Sequence, residues 1–193
     1  LSFRALDSYE DLYSAAKLLL TTQEDIIKYN PTLPNSIKVL FMSEKKDPDE
    51  IFLLTLQNLK CRNRLKQVMI AIDPGSEKTG IAIFINSTFL YSRSIYNNKQ
   101  LLFWINITFE AFPHLKRKIK IGNGSFQLTQ KFLSCFFKNF EFCKDTEILL
   151  VDEVKTSRSN WRKTKIHRSI HEHAAMLIGK RPGELVTADN IIF

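Results

Sequence analysis

Apolar and polar positions in the first third of the chain change over short intervals, with prolines between them, and this pattern predicts short elements. Ser8 is placed to cap one helix, and Thr22 or Gln23 to open another. Asp47 and Pro48 form a strong helix start, because proline suits the first turn and an acid suits the positive end of the helix dipole. The predicted elements are helices over residues 9–20 and 24–29, a strand over 36–42 and a helix over 51–59.

After residue 66 the apolar positions follow the spacing of strands and are rich in β-branched side chains. The predicted bounds are strands 68–73, 80–86 and 88–95, helix 97–112, strand 119–121, helix 126–140, strand 147–153 and helix 164–179. Three antiparallel strands followed by alternating helices and strands predict an α/β domain over 67–193, with a mixed five-stranded sheet flanked by helices. A mainly helical region of unknown role, residues 1–66, precedes it.

The composition favours a folded protein without a membrane segment. The chain has 193 residues, of which 44% are hydrophobic, enough for a proper core. No apolar run reaches the roughly 18 residues of a membrane span, so no membrane contact is expected. Cys61, Cys135 and Cys143 are an odd number without C-x-x-C spacing. They predict reduced thiols in a cytoplasmic protein and argue against a zinc site.

The charge balance points to a polyanionic partner. Lysine and arginine number 28 against 20 aspartates and glutamates, which gives a net charge of +8. Such an excess favours nucleic acid, because phosphate contacts release counterions; a basic surface that serves only solubility is the alternative. The positive charge concentrates at residues 116–120 and 155–168, close to acidic positions. A metal-dependent nuclease needs this combination of a small acidic site in a basic groove.

One acidic residue ends the first of the three predicted strands. Asp73 follows Ile70-Ala71-Ile72 and precedes Pro74-Gly75, and an apolar strand returns directly afterwards. A carboxylate at the mouth of a buried hairpin is costly to desolvate, and such groups usually meet a metal, a phosphate or a hydrogen-bond donor. Asp73 is therefore a candidate catalytic residue, and an acid that only caps the turn is the alternative.

Four segments carry acids, glycines or histidines in an order and spacing that suit one domain. They are Ala71-Ile72-Asp73-Pro74-Gly75 with Gly80-Ile81-Ala82, then Ile121-Gly122-Asn123-Gly124, then Val151-Asp152-Glu153 with Thr156-Ser157, and finally residues 170–178, Ile-His-Glu-His-Ala-Ala-Met-Leu-Ile. Together they resemble the RuvC-like branch of the ribonuclease H-like nucleases and, within it, the YqgF family of Holliday-junction-resolvase-like proteins. In the third segment Val154 stands where the family has arginine.

The resemblance implies a ribonuclease H-like fold and a nuclease that uses Mg²⁺ or Mn²⁺. Two such ions about 4 Å apart stabilise the negative charge that builds up when a phosphodiester is hydrolysed, and hard oxygen ligands suit Mg²⁺. Asp73 is then expected to bind both ions and Glu153 to bind one. Asp152 ranks behind Glu153, because it points to the opposite sheet face if side chains alternate. The alternative for Glu153 is a salt bridge to Lys155 or Arg158.

The third acidic ligand of the family, in the last helix, falls on His171. A neutral imidazole can ligate a divalent ion, but it carries no negative charge and prefers softer metals than Mg²⁺. Glu172 requires a shift of register, and the apolar stripe of the helix places it almost opposite. His167 and His171 lie one predicted turn apart, spaced to share a metal or to hydrogen-bond at the helix rim. Three outcomes stay open: His171 as ligand, Glu172 as ligand, and a site without activity.

A nucleic-acid-binding surface is expected beside the acids. Basic side chains can follow phosphates, a tryptophan can stack on an unpaired base or anchor its loop, and a glycine turn that opens a helix can receive a phosphate or form only a turn. The candidates are Lys155, Arg158, Trp161, Arg162, Lys163 and Lys165, with Gly122, Asn123 and Gly124 in the turn.

These observations predict a metal-dependent nuclease that hydrolyses phosphodiesters in structured nucleic acid. The resemblance implies its substrate class, Holliday-junction-like DNA or a ribosomal RNA precursor. The alternative is a noncatalytic nucleic-acid-binding protein that keeps the ribonuclease H-like fold. The phenylalanine-rich helix 126–140 belongs to the core or, on a second face, to a homodimer contact.

Overall fold

The computed structural model of the chain describes residues 17–29, 33–43, 47–61, 64–139, 145–152 and 169–186. The chain forms two compact units, residues 1–62 and 63–193. The boundary expected from the sequence lies after residue 66, within the first described stretch of the second unit. Glu153 and the basic candidates from Lys155 to Lys165 lie outside the described residues.

The described part of the first unit holds two short parallel strands and two helices. They are β1 (Leu18–Thr21), α1 (Gln23–Tyr29), β2 (Lys38–Phe41) and α2 (Pro48–Lys60). The predicted strand and the second and third predicted helices are confirmed. The predicted helix over 9–20 is wrong at its end, because Leu18 to Leu20 pair with β2, and pairing with a distant strand outweighs a local capping signal. Asp47 caps α2 as predicted, accepting a hydrogen bond from the Asp49 N–H at 2.8 Å.

The second unit carries the α/β domain. Its described elements are β3 (Gln67–Asp73), β4 (Thr79–Ile85), β5 (Thr88–Ile95), α3 (Asn98–Ala111), β6 (Lys116–Gly122), α4 (Phe126–Asn139), β7 (Thr146–Val151), α5 (Ile170–Lys180) and β8 (Glu184–Leu185). The first three strands agree with their predicted bounds to within a residue. Strand β6 is longer than the strand predicted over 119–121. Strand β7 ends at Val151 in the described residues, whereas the prediction extended it to residue 153.

The sheet order is β5-β4-β3-β6-β7-β8. The pairs β3–β4 and β4–β5 are antiparallel, whereas β3–β6 and β6–β7 are parallel. A three-stranded antiparallel meander extended by parallel strands beside its first strand is the ribonuclease H-like arrangement, so the predicted fold class is confirmed. Over the described residues the sheet has six strands rather than the five predicted. Its additional strand, β8, pairs with β7 through two residues, too few to give a recognisable sequence pattern.

The two faces of the sheet bury different helices. On one face α5 packs against β3, β4, β5 and β6. Its apolar cluster comprises Met69, Ala71, Ala82, Phe84, Val151, Ala175 and Ile178. On the other face α3 packs against β3 and β5, and the intervening side chains Ile70, Ile72, Ile119 and Ile121 are fully buried. Because side chains alternate along a strand, Asp73 belongs to the α5 face.

Helix α5 begins later than predicted. Ser169 is extended, with φ −67° and ψ 159°, and its hydroxyl accepts a hydrogen bond from the Glu172 N–H at 3.2 Å. A serine in this conformation is an N-cap, so the helix starts at Ile170 rather than at residue 164. The prediction placed His167 and His171 one turn apart on this helix. Because α5 begins at Ile170, it contains His171 but not residue 167, and His167 lies outside the described residues.

The basic run at residues 116–120 is strand β6, in the interior of the sheet, rather than a surface cluster. Lys118 forms an ion pair with Glu147 at 2.9 Å, and Arg117 lies 5.2 Å from the ring centroid of Phe109. The ammonium group of Lys120 donates to the backbone carbonyls of Gly179, at 3.0 Å, and Arg181. Three of these basic side chains therefore have partners within the fold, whereas Lys116 is exposed, and the contribution of the run to a basic groove stays a prediction.

Candidate functional site

The end of the central strand brings an acid and a histidine together. Asp73 is the last residue of β3 and is buried. Its Oδ2 atom lies 2.9 Å from Nδ1 of His171, in the first turn of α5. The His171 side chain is 38% exposed against 11% for that of Asp73, so the pair is buried on the acid side and open on the imidazole side. Two of the predicted catalytic residues are thus in direct contact.

Two glycines make this contact sterically feasible. Gly80 is the β4 residue opposite Asp73, and a Cβ atom there would lie 2.0 Å from the His171 carbonyl oxygen. A Cβ atom on Gly75 would lie 2.2 Å from the Lys78 carbonyl oxygen and 3.0 Å from Cε1 of His171. Gly75 and Gly80 belong to the first of the four segments that resemble the RuvC-like nucleases. Because they have no Cβ atom, the first turn of α5 can lie directly against the β3–β4 hairpin.

Burial raises the pKa of the Asp73 carboxyl group, and the hydrogen bond and charge of His171 partly oppose this effect. The charged form is therefore disfavoured in the folded protein relative to the unfolded chain. A raised folded-state pKa contributes stability below the unfolded value near 4, and this contribution is lost as the pH rises through the folded value. At neutral pH the ionised Asp73 consequently costs folding stability, which is typical of a residue kept for its chemistry.

The pair fits a divalent ion in part. Metal–ligand distances of about 2.0–2.1 Å place neighbouring octahedral ligands about 2.9 Å apart, which matches the separation of Asp73 Oδ2 and His171 Nδ1. One oxygen and one imidazole nitrogen suit Mn²⁺ better than Mg²⁺. Within the described stretches no three histidine, cysteine, aspartate or glutamate side chains are grouped closely enough to hold a metal. The expected ligand Glu153 is outside those stretches and remains a prediction.

Glu172 lies on the other side of the α5 N-terminus, against strand β5. Its Oε1 accepts a hydrogen bond from the Ser94 hydroxyl at 2.9 Å, and its Oε2 accepts one from Ser92 at 3.3 Å. The Ser94 hydroxyl also lies 2.6 Å from that of Ser169, the helix N-cap. The described contacts of Glu172 are thus with serines and not with Asp73. They fasten the first turn of α5 to the sheet.

We expect the Glu172→Ala substitution to lower the free energy of unfolding by about 2 kcal/mol, because it removes the charge-assisted hydrogen bonds that the carboxylate accepts from Ser92 and Ser94. Urea denaturation would measure the loss. Glu172→Gln is the matched variant, since its amide oxygen still accepts from Ser94, and we expect it to recover about half of the loss. Equal stability of the alanine variant and the wild type would contradict this structural role.

The glycine turn after β6 is partly committed to the fold. Gly122 is buried, and its carbonyl oxygen accepts a hydrogen bond from the Thr129 hydroxyl at 3.1 Å. The backbone N–H of Asn123 donates to the Val151 carbonyl oxygen at 2.9 Å, so it is directed to the neighbouring strand. Gly124 is exposed ahead of α4. Phosphate binding by this turn stays a prediction.

Strand β7 leads to the second predicted acid. Val151 belongs to the α5 side of the sheet, the side that also carries Asp73. Asp152 follows it, is exposed, and accepts a hydrogen bond at its backbone oxygen from Arg181 Nη1 at 3.1 Å. If side chains continue to alternate after Val151, Asp152 points to the opposite face and Glu153 to the face of Asp73, and this placement of Glu153 stays a prediction.

Residues that the sequence reasoning did not select surround the same end of the sheet. The ammonium group of Lys78 lies 5.3 Å from the ring centroid of Tyr96, which is 62% exposed. A pocket of about 280 Å³ lies between the β3–β4 turn and helices α3 and α4. Its lining includes Asn98, Leu102 and Lys131. These residues are far apart in sequence and share no motif, so only the strand order could have indicated their proximity.

The structure also describes parts of the phenylalanine-rich helix, one of the three cysteines and the helices in which a membrane span was sought. Phe126 is 61% exposed at the start of α4, and Phe132 lines the pocket; the homodimer contact stays a prediction. Cys61 is a buried thiol. None of the described helices has the length and apolar character needed to cross a membrane.

Comparison with known proteins yields structural likeness without sequence relatives. No model of a protein family and no curated protein matches the chain. T. thermophilus RuvC in complex with Holliday junction substrate shares 12% identity over 62% of this chain and 99% of its own, with a TM-score of 0.45. Marinitoga piezophila Argonaute in complex with 5′ OH guide RNA shares 15% identity over 76% of this chain and 29% of its own, with a TM-score of 0.33. The fold assignment rests on the strand order and register described above.

Proposed function

We propose that this protein is a divalent-metal-dependent nuclease that hydrolyses phosphodiesters in structured nucleic acid, either branched DNA or a folded RNA such as a ribosomal RNA precursor, in the cytoplasm. The observation that carries the proposal is the contact of Asp73 with His171 at the end of the central strand. Ligands of α/β sheets bind beyond the carboxyl ends of the strands, and Asp73 is at such an end.

The charge of the chain supports a polyanionic substrate. The excess of eight positive charges favours phosphate binding. Lys78 and the exposed ring of Tyr96 lie at the same end of the sheet as Asp73. Basic groups beside an exposed aromatic ring are the common means of binding an unpaired strand.

Each residue of the pair has a definable role in such a site. Asp73 and His171, with Glu153 as predicted third ligand, would hold Mg²⁺ or preferably Mn²⁺. The bound ion supplies positive charge for the phosphoryl and leaving oxygens. In the absence of an ion, the contact with Asp73 orients the His171 ring with Nδ1 towards the carboxylate, and an ion bound by both atoms would take the place of the shared proton. Glu172 holds the first turn of α5 in place from the other side.

One observation favours the noncatalytic alternative. The Asp73 oxygen that a metal would need already accepts a hydrogen bond from His171, and an Asp–His pair closed in this way is satisfied without an ion. A protein with such a site would bind nucleic acid through its positive charge and leave the phosphodiester intact.

A cleavage assay separates the two functions. Purified protein is incubated with labelled four-way DNA junctions or structured RNA, in Mg²⁺, Mn²⁺ or EDTA. We expect cleavage of at least one substrate in Mn²⁺, weaker cleavage in Mg²⁺ and none in EDTA, since imidazole suits Mn²⁺ better. Salt-dependent binding without cleavage under all conditions would instead establish the noncatalytic alternative.

A further inference from the structure

A pocket begins at the residues that directly follow Asp73. The pocket of about 280 Å³ begins at Pro74 and Gly75, the two residues that directly follow Asp73. Consecutive Cα atoms are 3.8 Å apart, so the Cα atoms of Asp73 and Gly75 lie within about 7.6 Å of each other. A Cβ atom built on Gly75 would lie 3.0 Å from Cε1 of His171, so the turn also runs close to the imidazole ring. The turn therefore separates the pair from the pocket by the thickness of one backbone segment.

The apolar walls of the pocket suit a flat, apolar ligand. Leu101 and Leu102 of α3 line one side, and Leu128 and Phe132 of α4 line the other. The volume is close to the lower end of the range of about 300–1,000 Å³ found for small-molecule pockets. A ligand of one aromatic ring system would fill it, whereas a folded partner or a helix would not enter.

Polar groups around the same pocket suit the edges of that ligand. Ser76 and Asn98 contribute a hydroxyl and an amide, and Lys131 contributes an exposed ammonium group. Amide and hydroxyl side chains read the edges of nucleobases, and lysine contacts phosphates. An apolar slot with an amide, a hydroxyl and one positive charge is complementary to a nucleotide and offers little to an anionic group alone.

We propose that this pocket takes one unpaired nucleobase of the bound strand, with Lys131 on a neighbouring phosphate. The inference rests on the proposed function in so far as it assumes a polynucleotide ligand. It adds that a base close to the phosphodiester at Asp73 leaves its stack and enters the slot between α3 and α4. Structured substrates with unpaired or easily unpaired bases at the cleavage point would be preferred over continuous duplex.

Binding to two single strands tests the pocket. Fluorescence anisotropy in EDTA compares a short labelled oligothymidylate with an abasic strand of the same length and charge. We expect the wild type to bind the oligothymidylate about tenfold more tightly, since an enclosed base contributes on this scale. Leu102→Trp, which fills the slot with an indole ring, should bind both strands equally, and Leu128→Trp should do the same from the opposite wall.

Two controls use neighbouring positions. Phe103→Trp introduces the same indole one residue away, at a side chain that is 41% exposed and does not line the pocket; it should keep the tenfold difference. Glu77→Gln should keep it too, since the exposed side chain of Glu77 does not line the pocket. Thermal melting of each variant verifies folding, and if Leu102→Trp unfolds, Leu128→Trp decides the question.

Three results would overturn the proposal: equal wild-type affinity for the two strands, an unchanged difference in the folded pocket variants, or loss of the difference in the folded Phe103→Trp control. The junction-cleavage assay in Mn²⁺ is run in parallel. Cleavage without a base preference would support the proposed nuclease function and refute base binding in the pocket. If the wild type prefers the strand with bases, the pocket variants Leu102→Trp and Leu128→Trp lose this preference, and no cleavage is seen, base binding in the pocket is supported and the nuclease function is refuted.

Discussion

The Asp73→Asn substitution is expected to lower the metal-dependent cleavage rate by about a thousandfold, because it removes the carboxylate that lies 2.9 Å from His171 Nδ1. The amide is almost the same size and still has an oxygen that can accept from His171 Nδ1, so the local packing should persist. Initial cleavage rates in Mn²⁺, measured on the best substrate of the cleavage assay, give the ratio.

Glu77→Gln is the matched control. Glu77 is an exposed carboxylate in the same β3–β4 turn, four residues after Asp73, and its replacement removes the same charge. We expect the Glu77 variant to cleave within about twofold of the wild type, since the exposed group is screened by water. Cleavage that persists in the Asp73 variant would assign the activity to another site or to a contaminant.

The same substitution should have the opposite effect on stability. Because burial raises the Asp73 pKa, the ionised carboxylate destabilises the folded state at pH 7, and a neutral amide avoids this cost. Urea denaturation at pH 7 should therefore show Asp73→Asn to be at least as stable as the wild type. The advantage should shrink as the pH falls towards 4, where the wild-type carboxyl group becomes protonated.

The second large effect is expected at Gly80. An alanine Cβ atom there would lie 2.0 Å from the His171 carbonyl oxygen and 2.3 Å from its carbonyl carbon, so α5 must move away from β4. We expect Gly80→Ala to lower the free energy of unfolding by about 3 kcal/mol. It should also abolish cleavage in the fraction that stays folded, because His171 is carried away from Asp73. Urea denaturation and cleavage rates at low temperature measure the two losses.

Gly179→Ala separates this local effect from general loss of stability. It adds the same methyl group at the other end of α5, where the new atom would meet the Phe84 ring at 2.3 Å. We expect it to be destabilising as well, yet to retain a greater share of the cleavage activity, because the first turn of the helix is untouched. Equal activity of the two variants at equal folded fraction would show that Gly80 has no special relation to the site.

The sheet and the Asp73 position could be predicted from sequence because both depend on local signals. β3, β4 and β5 are apolar, β-branched and separated by short turns, and an acid directly after such a run has few structural roles. The role of Glu172 could not be settled in this way. Its serine partners are about 80 positions earlier in the chain, and only the folded sheet brings Ser92 and Ser94 beneath α5.

Two other differences have the same origin. Residues 116–120 look like a surface cluster in sequence, but pairing on both sides makes them an interior strand. Lys118 reaches Glu147, and Lys120 reaches the C-terminal end of α5. The start of α5 at Ile170 depends on Ser169, whose capping role is visible only once its extended backbone is known. Sequence periodicity detects which face is apolar, but it cannot say where a long-range contact replaces a local one.

Lys120 sets the axial position of α5. Its ammonium group is bound by the carbonyl oxygens of Gly179 and Arg181, and burial lowers its pKa. With a rise of 1.5 Å per residue, Gly179 lies about 12 Å along the axis from His171. A screw displacement of the helix by a single residue, about 1.5 Å along the axis with a rotation of about 100°, would point the His171 ring away from β3. An anchor at the far end of the helix thereby selects which residue of the Ile-His-Glu-His run reaches the end of the central strand.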